Sequence, residues 1–242
     1  MFNPKSMEEL YDVEKDPHEL HNLAGSPDFQ DVLREMRGRL RAWILASRDT
    51  GFLHESEMMI RSEGSTPYEM AQDPRRYDLE RILAAAERSG DPAVSVGELV
   101  EALGDADSGV RFWTVQALIA KGKDAKGAKS SLEKSLEDPS PCVRIAAAEA
   151  LCRIGSCEEA LPVLAEALKD ARPWVALQAA TSVRLIGDRA RPILSTVREV
   201  LIGCLGDAGG RYKNWSYHMF IGFALDQVLI QCREDPASVK AP

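Results

Sequence analysis

His18 and His21 stand three residues apart, with Asp16 and Glu19 beside them. On a helix that spacing puts both imidazoles on one face, where they could share a metal ion. The other reading makes them ordinary variable surface positions, and Asp16-Pro17 reads better as a turn than as a catalytic acid. The cysteines are Cys142, Cys152, Cys157, Cys204 and Cys232, with no CxxC pair and no Cys/His cluster at zinc-ligand spacing. Most fall in apolar helical patterns, where cysteine behaves as a small buried hydrophobe. Cys152 and Cys157 straddle a turn and could pair in an exported protein. No Gly-rich phosphate loop, nucleophile elbow or His-based triad is found. The sequence therefore nominates no catalytic, cofactor-binding or metal-ligating residue.

Two recurring residue types stand outside that survey. Asp105, Asp138 and Asp170 recur, as do Arg111 and Arg144. In one reading the Asp caps a helix and the Arg pairs with a neighbouring Asp; in the other they line a polar binding face. Trp113, Trp174 and Trp215 are the second set. Tryptophan is a common interface anchor, so they either pack in the core or line a groove. The most basic segment is Arg34, Arg37, Arg39, Arg41 and Arg48, broken by Glu35 and fitting the wet face of a helix.

The elements that must position these residues fit a chain of 242 residues, 45% apolar and 28% charged, which are globular proportions. Its net charge of −8 disfavours a phosphate backbone as partner. No apolar run approaches the roughly 18 residues of a membrane-spanning helix. Met1 to Leu10 lacks a basic stretch followed by an apolar core, so a secretory signal is not expected there.

The second half repeats itself. Leu103-Gly-Asp105, Leu136-Glu-Asp138 and Leu168-Lys-Asp170 recur at steps of about 33 and 32 residues. Val110, Val143 and Val175 follow in register, then Leu118, Leu151 and Val183, then Gly122, Gly155 and Gly187. Each copy reads as two amphipathic helices joined by an Asp/Pro turn and closed by a Gly C-cap. Pro162 and Pro192 are expected to begin the next first helices. This pattern resembles the HEAT-like repeat family over about residues 93 to 188. A degenerate fourth copy is expected to cap the array, with Leu205-Gly-Asp207 as its turn and Tyr212-Lys213 in the place of Val-Arg. A helix over 77–88 should cap the other end.

The first 76 residues differ. Glu9 to Val13 alternates polar and apolar, which suits a strand. A helix should follow, capped by Ser26 with Pro27 in its first turn and Phe29, Val32, Leu33, Met36, Leu40, Trp43 and Ile44 on its apolar side. Asp49 to Arg76 is irregular and reads as a wrapping arm or a flexible linker.

Glu8-Glu-Leu-Tyr-Asp-Val-Glu-Lys-Asp-Pro-His-Glu-Leu-His-Asn-Leu-Ala24 resembles the C-terminal signature of the sulfatase family, with Val13 where Leu is commoner. Thr50 to His54 and Tyr68 to Asp73 resemble it more loosely. The resemblance implies that residues 1–76 are a short α/β tail (strand, helix, wrapping arm) and that 77–242 form a HEAT-like α-solenoid of about four helix pairs. It also implies sulfate-ester or sulfamate hydrolysis by a formylglycine, made from Cys or Ser in Cys/Ser-x-Pro-x-Arg, beside a calcium ion. None of the cysteines here has that context, and Ser65-Thr-Pro-Tyr-Glu69 ends in Glu. Calcium and formylglycine are thus implied only for a catalytic domain outside this chain.

The resulting expectation is a mostly α, non-catalytic C-terminal portion of a sulfatase-like hydrolase, inactive alone. Its partner would be the catalytic domain, or another protein on the concave repeat face, and neither nucleic acid nor membrane. In a longer exported sulfatase it would lie in the periplasm or outside the cell. The alternative is a stand-alone HEAT-repeat scaffold for protein–protein interaction.

Overall fold

A computed structural model describes residues 6, 8–206, 211–213 and 216–240. The chain divides into two compact units, Met1–Asp49 and Thr50–Pro242. Residues 50–76, grouped with the tail on sequence, thus fall in the unit that holds the repeats.

In the first unit the expected strand does not form; among the described residues there is no named strand, and the tail contains none. Leu10 makes one backbone bond, accepting from Leu23 N–H at 2.8 Å. Its own N–H goes to the Asn22 side chain at 3.0 Å, and the Asn22 amide donates to the Glu8 carbonyl at 2.9 Å. A strand needs a ladder of backbone pairs, and here an amide side chain takes the place of the second rung. Asp12 and Asp16 hold the intervening turns through backbone N–H groups. Ser26 does not cap the helix: Pro27–Phe29 form a 3-10 turn, and α1 runs Gln30–Ser47. Arg48 ends it in the left-handed conformation. Leu33 and Ile44 are buried, whereas Val32, Met36, Leu40 and Trp43 are exposed.

The second unit opens with an arm. It comprises a 3-10 turn at Thr50–Phe52, then α2 (Glu55–Arg61) and α3 (Pro67–Gln72). His54 caps α2 by accepting from Ser56 N–H, and Thr66 with Glu69 forms a capping box on α3. These caps explain how helices this short persist. α4 (Leu79–Ser89) follows, close to its expected place.

The repeats then alternate first helices α5 (Val96–Ala102), α7 (Lys129–Ser135), α9 (Ala160–Ala167) and α11 (Leu194–Cys204) with second helices α6 (Ser108–Lys121), α8 (Pro141–Arg153), α10 (Pro173–Ile186) and α12 (Tyr217–Gln231). Leu103, Leu136, Leu168 and Leu205 occupy the C-cap of each first helix in turn. Gly122, Gly155 and Gly187 take positive φ after the second helices, which a Cβ would strain. Pro162 lies in the first turn of α9 and Pro192 in the 3-10 segment ahead of α11, so neither starts its helix.

α4, α6, α8, α10 and α12 pack side by side in that order, with the first helices against them. Leu118, Leu132, Ile145, Leu151, Leu164, Ile186, Leu201 and Leu225 are fully buried along this continuous core. α8 has neighbours on all sides, and apart from Arg144 every residue from Pro141 to Cys152 is buried. The fourth copy departs from expectation. Tyr212 precedes α12 rather than entering it; its ring lies against Gly222, where a Cβ would find no room, and Phe223, with centroids 4.8 Å apart. Asp207 and Trp215 lie outside the described residues.

Candidate functional site

The repeated Asp residues are resolved by three equivalent bonds. Asp105 accepts from Asp107 N–H at 2.8 Å, Asp138 from Ser140 at 2.8 Å and Asp170 from Arg172 at 2.9 Å. Each donor is the N-cap of a second helix. The Asp therefore does not cap the helix itself; it folds the turn that delivers the cap. Arg111 reaches the next repeat and pairs with both Asp138 oxygens at 2.7 Å. Arg144 instead bonds the Asp138 carbonyl at 2.6 Å, and Asp170 pairs with its own neighbour Arg172. The ladder is structural in these contacts.

The densest polar arrangement lies where α2 crosses α8 and α10. Ser56 and Glu57 are buried there. Glu57 accepts from Arg61 one turn on at 2.8 Å, from Ser140 at 2.6 Å and from the Ser108 hydroxyl. Arg61 also grips Asp107 through both terminal nitrogens, at 2.6 and 3.1 Å, and the Arg76 carbonyl at 2.9 Å. Ser56 donates to Gln178 at 2.5 Å, and Gln178 donates to the Cys142 carbonyl at 2.9 Å. Ser108 and Ser140 stand at the starts of α6 and α8, so the carboxylate also sits near two positive helix ends.

The electrostatics follow. Burial works against the Arg61 charge, and Asp107 and Glu57 outweigh it, holding the guanidinium above its ordinary value. Burial likewise opposes the Asp107 charge, but Arg61 and the Gly109 and Val110 N–H groups leave its carboxyl below the usual range. Burial pushes the His54 imidazole down and the Cys142 thiol up to about 12. A thiol held protonated is a poor nucleophile, and the Glu57 oxygens are already taken. These contacts hold the arm against the repeats.

Trp113 and Trp174 belong to the same face. The Trp113 indole donates to the Phe52 carbonyl at 2.8 Å. Trp174 packs edge-on against Tyr217 at 6.3 Å, and the Tyr217 hydroxyl donates to Glu55 at 2.6 Å. Burial leaves the Trp174 N–H without a partner among the described residues. Both indoles are half-buried, so they neither line an open groove nor sit wholly in the core.

His18 and His21 are exposed, and His21 approaches Asp16 at 3.4 Å. Among the described residues no group of three or more His, Cys, Asp or Glu could hold a metal. Cys152 and Cys157 form a disulfide with Cα atoms 4.3 Å apart, and Cys142, Cys204 and Cys232 are free and buried. Arg34, Arg37 and Arg39 pair with Asp31, Glu8 and Glu35, as a solvated helix face does. A cleft of about 230 Å³ between α4 and α6 is rimmed by Arg81 and Arg88, but these are tied to Asp105 and Glu98. Among the described residues no helix is long and apolar enough to cross a membrane.

Sequence reasoning missed Ser56, Glu57, Arg61 and Gln178. The available signal was Glu57 and Arg61 four apart behind a capping His54. Seven residues are too few for a helical period to show.

Comparison with known proteins agrees with this architecture. A family model described as HEAT repeats matches residues 98–184 and 129–215. Two proteins named ulvan-active sulfatase, both from Formosa agariphila, share shorter stretches. One is 40% identical over 72 residues, which is 29% of this chain and 12% of the relative. The other is 36% identical over 73 residues, 28% of this chain and 14% of the relative. The chain thus spans a small part of the length of these relatives.

Proposed function

We propose that this chain is the non-catalytic C-terminal portion of a sulfatase-like hydrolase, in which the tail docks on a catalytic domain and the repeats buttress it. The observation that carries this is the α1 stripe. Val32, Met36, Leu40 and Trp43 lie on one face of the helix and are 45% to 62% exposed. They directly follow the tail signature, and four adjacent exposed apolar side chains mark a docking surface. The local identity to ulvan-active sulfatases supports the same reading.

The chemistry would reside in the catalytic domain, where a formylglycine and a calcium ion would supply sulfate-ester or sulfamate hydrolysis. This chain's residues do not fit that centre. Cys142 and Cys204 are buried thiols pushed up to about 12 and about 11, and the Ser65 hydroxyl lies beside the cap of α3. The residues present bind and position.

The test is the DNA upstream of the Met1 codon. An open frame encoding Cys/Ser-x-Pro-x-Arg is the expected result, with no turnover of an aryl sulfate by residues 1–242 alone. A stop codon just upstream, or aryl-sulfate turnover by this chain, would overturn the proposal.

The second reading is a stand-alone HEAT-repeat scaffold. It is favoured by residues 50–242 forming one compact unit by themselves. Because α2 already lies on α8 and α10, a partner on that face would have to bind beside the arm or displace it.

A further inference from the structure

The repeat column held by Leu118, Leu151 and Val183, all 0% exposed, changes occupant one step earlier. About 33 residues before Leu118 stands Ala85, on α4 and only half-buried. The positions before it keep the register: Tyr77, Leu79 and Ile82 are buried, as Val110, Phe112 and Val115 are. A small side chain where the stack elsewhere has a large one leaves space. That space is the cleft of about 230 Å³ between α4 and α6, which Ala85 lines.

The floor of the cleft is apolar, made by Ala84, Ala85, Leu99, Ala102 and Val110. The Thr114 hydroxyl on the same wall donates to the Val110 carbonyl at 2.8 Å. Ordered water needs two to four polar partners, and this floor supplies few. The rim is cationic. Arg81 and Arg88 stand one turn to either side of Ala85. The later copies put Thr114, Ala147 and Ala179 in the first of these columns, and Lys121, Ile154 and Ile186 in the second. An arginine at both is peculiar to α4.

The ion pairs of these arginines leave donors over. Arg81 meets Asp105 through Nη2, at 2.7 and 2.8 Å, while its Nη1 stays 3.8 Å from Asp78. Arg88 reaches Glu98 through Nη2 at 3.4 Å, and that carboxylate already takes the Ser95 N–H and hydroxyl at 2.9 and 2.7 Å. A guanidinium carries five N–H donors, so each can accept a further oxyanion. Asp105 is the acidic group on the cleft wall, and Arg81 meets its charge.

We propose that this cleft binds a small aromatic carboxylate, with its ring on the apolar floor and its carboxylate on Arg88 beside Arg81. The volume sets the size: a cavity of about 150 Å³ takes a benzene ring, and the remainder takes one carboxylate. Pockets for larger molecules begin near 300 Å³. The charge sets the head group, because a planar carboxylate matches the guanidinium fork, whereas an amine would face two arginines.

Amide chemical shifts of the full chain, titrated with benzoate from about 0.05 to about 20 mM, bracket a Kd of about 1 mM, the strength a single ring supports. The expected result is saturable shifts clustered at Ala84, Ala85, Leu99 and Ala102. Benzyl alcohol, the same ring without the charge, should bind at least about fivefold more weakly. Arg88→Gln should weaken benzoate about fivefold and leave benzyl alcohol unchanged. Ala85→Leu restores the side chain of the repeat column and should abolish binding of both, with the melting temperature held or raised. Absence of saturable shifts overturns the proposal. So does benzyl alcohol binding as tightly as benzoate, or unchanged benzoate affinity in either folded variant. If Ala85→Leu unfolds, Arg88→Gln, at an exposed position, decides alone.

Discussion

The Ser140 hydroxyl at the head of α8 donates to the Glu57 carboxylate of α2 at 2.6 Å, across 83 residues of sequence. The same carboxylate takes Ser108 and Arg61, so one side chain links the arm to two consecutive repeats. Glu57→Ala takes one of two carboxylates from Arg61, which keeps Asp107, and leaves the Ser140 and Ser108 hydroxyl protons without their acceptor. Breaking a buried pair in this way costs about 3–5 kcal/mol, and Glu57→Gln, which keeps the shape, about 1–3 kcal/mol. Urea unfolding at neutral pH measures both. If Glu57→Ala stays within about 0.5 kcal/mol of the wild type, as surface changes do, the seam does not hold the arm.

Arg111 and Asp138 make the corresponding link between repeats, with side chains 11% and 8% exposed. Asp138 supports Arg111 above its ordinary pKa against the effect of burial. Arg111→Ala is expected to cost about 2–3 kcal/mol, since charge-assisted bonds of this kind carry that much. A double-mutant cycle with Asp138→Ala should show coupling of about 1 kcal/mol or more. Additive losses would mean that the two side chains do not interact in solution.

His54 gives the arm a pH dependence with a definite sign. Burial lowers its folded pKa from 6.5, against the pull of Glu55 and Glu57. The unfolded chain therefore takes up a proton near pH 6.5 that the folded chain refuses. Stability is full above that pH and falls as pH drops toward the folded value. His54→Asn keeps an N-cap acceptor and should remove this slope. Urea midpoints between about pH 7.5 and about pH 5.5, roughly one unit either side of the transition, read it directly. A slope unchanged in His54→Asn assigns the dependence to another group.

The Cys152–Cys157 pair closes a short loop, with a sequence separation of 5. Loop-closure entropy for so short a span gives about 2 kcal/mol. Reduction by a thiol should lower the melting temperature modestly without loss of helix. No shift on reduction would indicate that the pair is not bonded in the protein as isolated.

The repeat register was legible because it recurs. Leu103, Leu136 and Leu168 fall at the same C-cap, and three glycines after the second helices each take a positive φ. The arm was not legible, since α2 is stabilised by Gln178 and Ser140, which lie 122 and 83 residues away from their partners. The tail misled in a physical way. Alternation from Glu9 to Val13 shows what a strand needs on its faces and says nothing about who supplies the ladder. Asn22, read only as a signature residue, bonds both Leu10 and Glu8.

That substitution of a side chain for a ladder has a dynamic consequence. Residues 8–49 bury few apolar groups, chiefly Leu10, Leu33 and Ile44, and expose a whole stripe of α1. Local stability follows buried contacts and shielded backbone bonds. Amide exchange is therefore expected to be about a hundredfold faster over Leu10–Leu23 and α1 than over α8 and α10. The repeats should exchange through global unfolding, the tail through local opening. Hydrogen–deuterium exchange read by mass spectrometry resolves the two at peptide level. Equal protection in both segments would show that α1 is stabilised by contacts its exposed stripe does not account for, and would weaken the case that this stripe awaits a catalytic domain.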